Sequence, residues 1–335
     1  MTPADRAQVA AWLVDTASTA LATDIDLLRD HIDLARREGV SGLLCDRWRA
    51  TIDGDDPRAA LLSAEIGRQV ASELIRSGAE RRVLAALNAA GIDALVLKGA
   101  ALARWLYAHA HWRPRSDLDL LFASEADSAR AEQALGALGY RWDGVLANGV
   151  CVERTLIGSP QGVVHAIDLH WRLTPHPVYA DRFTYAELWT DRVPLPDLER
   201  GVGLGDVHAL IHAALHRFAN RLVGEEDRLI WLYDIHLLAA RLDSARWSAL
   251  AACAQAHAVA APLLDALTRT STLLGTAIDP VVISALAESA PRESFQVDNA
   301  LDRRLFEMHA LRRMPPRQRL QHAWRQVFPS VAYMR

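Results

Sequence analysis

Two aspartates one residue apart, Asp117 and Asp119, lie in the run Arg115-Ser116-Asp117-Leu118-Asp119-Leu120-Leu121-Phe122, nineteen residues after Lys98. Side chains on a strand alternate faces, so both carboxylates project from one face while Leu118 and Leu120 pack on the other. Like charges held that close repel unless a divalent cation or a shared proton relieves them, and hard oxygen ligands suit Mg²⁺. Taken alone, such a pair is also what an ordinary solvent-exposed strand end looks like, so its surroundings decide. A third acid, Asp168, lies in Val163-Val164-His165-Ala166-Ile167-Asp168-Leu169-His170-Trp171, flanked by Ile167 and Leu169. That placement is costly inside a sheet unless the charge is paired or bound to metal. His170 shares its face. Strands that set Asp168 beside Asp117 and Asp119 make three converging acids, enough for two Mg²⁺ with phosphate oxygens completing the shells. The plainer alternative for Asp168 is a strand-end acid bonded to a neighbouring arginine.

Lys98 is the only lysine among 37 basic residues. A compact ammonium on a flexible stem reaches a phosphate where a planar guanidinium does not fit, which marks Lys98 as a phosphate contact rather than a chance survivor at a helix start. Gly99 supports this, because a glycine after an apolar strand lets the backbone approach a ligand and opens the next helix.

The elements that must position these groups follow from periodicity. Helical patterns run over Ala7 to Leu21, Leu27 to Arg37 and Leu61 to Ala89, with a break at Thr51 to Pro57. Short β-compatible runs then take over: Ala94 to Leu97, Leu118 to Phe122, Val150 to Ile157 and Val163 to Leu169. Helix formers fill Ala100 to Ala108 and Ala126 to Leu138, the latter stopped by Gly139. From Val207 onward helices return, over Val207 to Leu222, Leu229 to Arg241, Trp247 to Ala258, Pro262 to Leu274 and Val281 to Glu288. The expected fold class is α/β (α+β): a small mixed sheet flanked by helical lobes, divided as 1–90, 91–200 and 201–335.

Composition sets outer limits. With 335 residues and 51% hydrophobic content the chain can bury a full core, and a net charge of -4 argues against a broad nucleic-acid surface. No basic and apolar leader and no membrane span are apparent. Cys45, Cys151 and Cys253 are few, odd in number and far apart, which suits a reducing compartment and buried small hydrophobes; the expected location is the cytoplasm.

Leu97-Lys98-Gly99, Arg113 to Asp119 and Asp168-Leu169-His170-Trp171 occur in the order and spacing of a known pattern. The chain resembles the uncharacterised bacterial nucleotidyltransferases of the DNA polymerase β superfamily. There a strand ends in Leu-Lys-Gly, a loop carries Arg before Ser-Asp-x-Asp, and a later strand carries acid-Leu-His-Trp. Gly91-Ile92, the histidine-bearing helix from Asp206 to His216, Arg228 to Asp234 and Phe328-Pro329-Ser330 extend the likeness over most of the chain. Where the wider superfamily has Gly-Gly or Gly-Ser, this chain has Lys98-Gly99, as in the subgroup it resembles.

The resemblance implies an Mg²⁺-dependent enzyme, with Mn²⁺ as a possible substitute, that moves a nucleoside monophosphate from an NTP to an unidentified small-molecule, peptide or RNA acceptor. Asp117 and Asp119 are expected to bridge two ions and Asp168 to ligate the catalytic one and help deprotonate the acceptor hydroxyl. Lys98 and the Gly99 amide are expected to hold the β and γ phosphates. Arg113 and Arg115, around Ser116, either neutralise phosphate or remain solvated loop charges. His216 and Asp234 match polar positions of the family's helical lobe, where they contact base, ribose or acceptor, or serve helix packing. Two other functions are an idle NTP-binding regulatory module and a toxin-like tRNA nucleotidyltransferase.

His208, His212 and His216 form one stripe at i, i+4 and i+8. The spacing could bind Zn²⁺, but it lacks a His-Glu-x-x-His glutamate, and lining a pocket or packing on the sheet is the expected role. Leu311 to Arg319 is basic and leads into helical spacing over Leu320 to Val327, read as a solvated segment before a closing helix.

Overall fold

Side-chain caps fix where several helices begin. Asp24 accepts the amide hydrogens of Asp26 and Leu27 to open α2 (Ile25–Glu38), and Asp56 with Pro57 at the first helical position opens α4 (Pro57–Ala89). The computed structural model describes residues 3–14, 21–142, 153–159, 162–176, 178–222 and 226–293. Before the sheet lie α1 (Pro3–Val14), α2, α3 (Ser41–Arg49) and α4. Next come β1 (Leu95–Val96), α5 (Lys98–Trp105), β2 (Asp117–Leu121), α6 (Glu125–Gly136), β3 (Arg141–Trp142), β4 (Glu153–Gly158) and β5 (His165–His170). After α7 (Tyr185–Thr190), β6 (Val193–Pro194) and β7 (Val202–Gly203), the chain is helical through α8 (Asp206–Leu222), α9 (Leu229–Ala239), α10 (Ser244–Ala256), α11 (Ala260–Leu274) and α12 (Pro280–Ser289).

The seven strands described form one mixed sheet in the order β3-β4-β5-β2-β1-β7-β6. Its centre is the parallel pair β2 and β5, with Asp119 opposite Asp168 and Asp117 opposite Ala166. β4 adds antiparallel to β5, with Thr155 opposite Asp168 and Glu153 opposite His170. Leu118, Leu120, Leu156, Ile167 and Leu169 occupy the opposite face and are buried with Val83, Leu84 and Leu87 of α4 and Ala131 and Leu135 of α6. A second, larger core joins apolar residues of α1 to α3 with those of α8 to α12, and Leu95, Leu97 and Leu121 belong to it. The polar face of the sheet therefore looks toward helices drawn from both ends of the chain.

The mixed α+β architecture matches the sequence expectation, with adjustments at the ends of elements. The helix expected over Ala100 to Ala108 starts at Lys98 and stops at Trp105, before a 3-10 turn at Ala110–Trp112. Exposed Val163 and Val164 fall outside β5, which begins at His165. The helix α3 lies within residues 6 to 90, where helical patterns are expected throughout but for the break at Thr51 to Pro57, whereas α7, β3, β6 and β7 are additional; the last three span two residues each, too few for an alternating pattern to register. The Leu311 to Val327 segment, Phe328 to Ser330, Cys151 and parts of the helix expected over Ala7 to Leu21 and of the strand expected from Val150 lie outside the described residues.

Candidate active site

Strand register alone brings the acids together. Asp117, Asp119, Asp168, His170, Glu153 and Thr155 share one face because they occupy matched positions on β2, β5 and β4. Ligand atoms of Asp119, Asp168 and His170 all lie within 4.8 Å of one another. The Lys98 ammonium is 2.6 Å from Asp119 Oδ1, and His170 Nε2 is 2.9 Å from the same oxygen. His170 Nδ1 lies 2.9 Å from Glu153 Oε2, and the Thr155 hydroxyl donates to Asp168 Oδ1 at 2.7 Å. Lys98 reaches inward from a left-handed backbone, φ 48°, a conformation that costs an L-residue about 1 to 2 kcal/mol and is kept where the surroundings fix it.

The cluster carries more negative than positive charge. Burial and the Asp119 charge push Asp168 up to about 6, and the same two causes raise Asp117. Against the upward push of burial, Lys98 and the hydrogen bond from His170 hold Asp119 far below the usual carboxylate range. Burial opposes charge on His170, yet Glu153 and Asp119 raise it to about 9, so the ring is an imidazolium at neutral pH. Four carboxylates, Asp117, Asp119, Asp168 and Glu153, thus face two cations, Lys98 and His170. One divalent cation balances the remainder, and the donor set of hard carboxylate oxygens fits Mg²⁺ or Mn²⁺.

The remaining expected site residues fall into separate networks. Arg113 is buried and forked onto Asp234, with Nε 2.9 Å from Oδ1 and Nη2 2.8 Å from Oδ2, while the Tyr107 hydroxyl donates to the same carboxylate at 2.7 Å. Arg115 donates to Glu80 at 2.7 and 2.9 Å and also pairs with Glu73, both on α4. Neither arginine is a solvated loop charge; each pins one end of the loop that delivers β2. Gly99 is needed for that loop, since a Cβ there would lie 3.1 Å from Arg113 Nη1 and 3.3 Å from Arg115 Cβ. Ser116 is exposed, its hydroxyl bonds Asp117, and its carbonyl accepts from Arg76 at 2.9 Å.

The histidine stripe divides. His212 and His216 line a cleft with Lys98, Leu102, Trp105 and Trp231, closed at its floor by Arg113 and Asp234. Burial, then Lys98, depresses both imidazoles, His212 to about 3, so they are neutral. The cleft encloses about 20 Å³, room for a water molecule and not for a nucleobase. His208 points elsewhere, 3.0 Å from Asp191 Oδ2, so the three do not share an ion. Glu153, Thr155 and Arg76 were missed from sequence. Glu153 and Thr155 had a readable signal, because they alternate with Leu156 and Arg154 on an expected strand.

A family model described as an uncharacterised nucleotidyltransferase matches residues 24–275. The chain belongs to that family. Nucleotidyl transfer is thus the activity class of this protein, and the matched span contains every element of the polar face. No curated protein and no solved structure matches the nucleotidyltransferase. Among its described residues no helix is long and apolar enough to cross a membrane.

Proposed function

We propose that the enzyme transfers a nucleoside monophosphate from an NTP to a hydroxyl or phosphate of an anionic acceptor, with Mg²⁺ held by Asp117, Asp119 and Asp168. The observation that carries this reading is the in-register pair of buried Asp119 and half-buried Asp168, joined by Asp117 on one face, with charge left over for a dication. Held by these three acids, such an ion would supply positive charge to offset that on the phosphates and the departing pyrophosphate. Charge balance supports one ion held by the protein, a second arriving with the triphosphate.

Asp168 is placed to take the acceptor proton. Its Oδ1 is held by Thr155, and its carboxyl, pushed up to about 6, sits nearer neutrality than an ordinary aspartate. The acceptor oxygen then bonds to the α-phosphorus, the bond from that phosphorus to the β-phosphate oxygen breaks, and pyrophosphate leaves. With its pairing to Asp119 taken over by a dication, Lys98 would have its ammonium available to the phosphates. His170 braces Asp119 from the other side.

An anionic acceptor is supported by a second cleft of about 590 Å³ where Arg76 and Arg228 stand beside Arg36, Arg68 and Arg115, the last three shared with Glu65, Glu73 and Glu80. It opens beside the loop at Ser116, and Arg76 is close enough to Asp117 for their charges to interact. A small phosphorylated metabolite or the end of an RNA strand has the required charge.

One observation favours a second reading. The Lys98 ammonium occupies the side of Asp119 where a cation belongs, as in a module that binds nucleotide without turnover. Purified chain incubated with each labelled NTP, Mg²⁺ and cell extract distinguishes the two. Pyrophosphate release and a labelled acceptor, both lost in Asp119→Asn and Asp168→Asn, support the enzyme; Mg²⁺-dependent NTP binding without either overturns it.

A further inference from the structure

Away from the sheet, three helical elements bring a different donor set together. Cys253 and His257 lie one turn apart at the C-terminal end of α10, Glu187 and Asp191 one turn apart along α7 and its C-cap, and His208 in the first turn of α8. Atoms of Glu187, His208 and Cys253 able to ligate a metal all lie within 4.8 Å of one another. His208 Nε2 is 3.7 Å and His257 Nε2 2.8 Å from the same oxygen, Glu187 Oε1.

The imidazoles are oriented in the manner of metal ligands. His257 Nδ1 lies 2.6 Å from the Arg182 carbonyl oxygen, which can only accept, so Nδ1 carries the hydrogen. His208 Nδ1 faces Asp191 Oδ2 at 3.0 Å in the same way. Outer oxygen partners of this kind fix the tautomer of ligating histidines and leave Nε2 free to bind. Both Nε2 atoms then approach one carboxylate oxygen, which a proton on the imidazole or a cation shared among the three satisfies. Phe183 stacks on His257 at 4.2 Å and meets His208 edge-on at 6.0 Å, holding both rings. Asp191 in turn needs Gly205, where a Cβ would fall 2.5 Å from Asp191 Oδ2.

We propose that Glu187, His208, Cys253 and His257 form a structural site for a Zn²⁺-class ion, supported from outside by Asp191 and the Arg182 carbonyl. Thiolate, two imidazoles and one carboxylate are a donor set for tetrahedral Zn²⁺ and are unsuited to Mg²⁺. Bonds of about 2.0 to 2.3 Å place tetrahedral ligand atoms roughly 3.3 to 3.8 Å apart. The His208 to Glu187 separation already lies in that range; His257, in contact with Glu187 but outside the 4.8 Å group, has to open that contact by about half an ångström and close on the other ligands as the ion binds. Binding releases the thiol proton of Cys253 to solvent as the sulfur to metal bond forms. The ion ties α7 and α10 to the first turn of α8, one turn before His212 enters the cleft.

Metal-stripped full-length protein under reducing conditions is titrated with Co²⁺ and then Zn²⁺. One equivalent of Co²⁺ is expected to give intense tetrahedral visible bands and a near-ultraviolet thiolate charge-transfer band, both erased by stoichiometric Zn²⁺. Cys253→Ser should abolish the charge-transfer band, and His257→Gln should weaken Co²⁺ binding at least about tenfold. Cys45→Ser and Asp119→Asn, the latter in the catalytic cluster, should retain the band. Absence of a thiolate band in the wild type, its survival in Cys253→Ser, or unchanged affinity in His257→Gln overturns the site and leaves Glu187 as the ion-pair partner of protonated histidines.

Discussion

Replacing Lys98 by Met tests whether its ammonium and a metal ion compete for the same carboxylate. The ammonium lies 2.6 Å from Asp119 Oδ1, and the Asp119 side chain is 2% exposed. Removing one partner of a buried ion pair costs about 3 to 5 kcal/mol, and the lower end applies because His170 still holds the same oxygen. For a chain of this size each kcal/mol lowers Tm by roughly 2 °C, so Lys98→Met without divalent ions should melt about 6 °C below wild type. Lys98→Gly loses the same charge but relieves the left-handed backbone at φ 48°, and should melt about 2 °C above Lys98→Met. Saturating Mg²⁺ at about a hundred times its Kd should then return roughly 2.7 kcal/mol to Lys98→Met and less to wild type, where the ion must first displace the ammonium. Scanning fluorimetry in EDTA and in Mg²⁺ reads all four quantities. If Lys98→Met melts within about 1 °C of wild type in EDTA, or gains no more from Mg²⁺ than wild type, Lys98 is not standing in for a cation at Asp119.

Three further outcomes follow from the same geometry. Glu80→Gln strips the fully buried partner of Arg115, itself 2% exposed, and should cost about 3 kcal/mol in urea unfolding, as Glu73 retains part of the pairing. Asp168→Asn should lower kcat at least about a hundredfold with NTP affinity changed far less, measured by pyrophosphate release, because the lost group acts on the acceptor proton. Two buried histidines should cost stability in acid, offset in part by Asp168, whose raised carboxyl takes its proton first in the fold: burial depresses His165 to about 4 and His212 to about 3, so at these two sites the unfolded chain binds more protons than the fold below the ordinary histidine value of 6.5. Each is worth about 1.4 kcal/mol by pH 5.5, full stability from both being present above pH 6.5, and His165→Gln should flatten the Tm profile between pH 6.5 and 4.

The acids were legible because strand alternation is strictly local. Once Asp117, Asp119 and Asp168 are assigned to strands, their faces are fixed, and only the pairing of β2 with β5 remained to be found. Lys98 was singled out by composition, yet its contact with Asp119 depends on a positive φ that no pattern of residue types announces for a lysine. Arg113 and Arg115 were expected as phosphate contacts or as solvated charges, and the solvated alternative does not hold, since both are buried in ion pairs. Their partners, Asp234 on α9 and Glu73 and Glu80 on α4, are distant in sequence, and a helix pattern read locally treats such acids as surface residues. The histidine stripe divides for a related reason, His212 and His216 lining a cleft as expected while His208 turns to Asp191. Helical spacing puts His208, His212 and His216 on one side of α8, but Glu187 and Asp191, on α7 and its C-cap, reach His208.

These departures share a cause that bears on how the site works. Every charged group on the loop before β2 is neutralised by a helix from outside the sheet, Arg113 by α9 and Arg115 by α4, so the loop carries no free charge toward the acids. The acids are instead left with a surplus of negative charge that the fold relieves only partly, through Lys98 and His170. Were the loop arginines turned inward, the surplus would vanish and with it the attraction for a dication. On the proposed function, holding Arg113 and Arg115 away from Asp117 and Asp119 is part of what would make the sheet face a cation site, and the ion pairs on α4 and α9 would act on catalysis through that restraint.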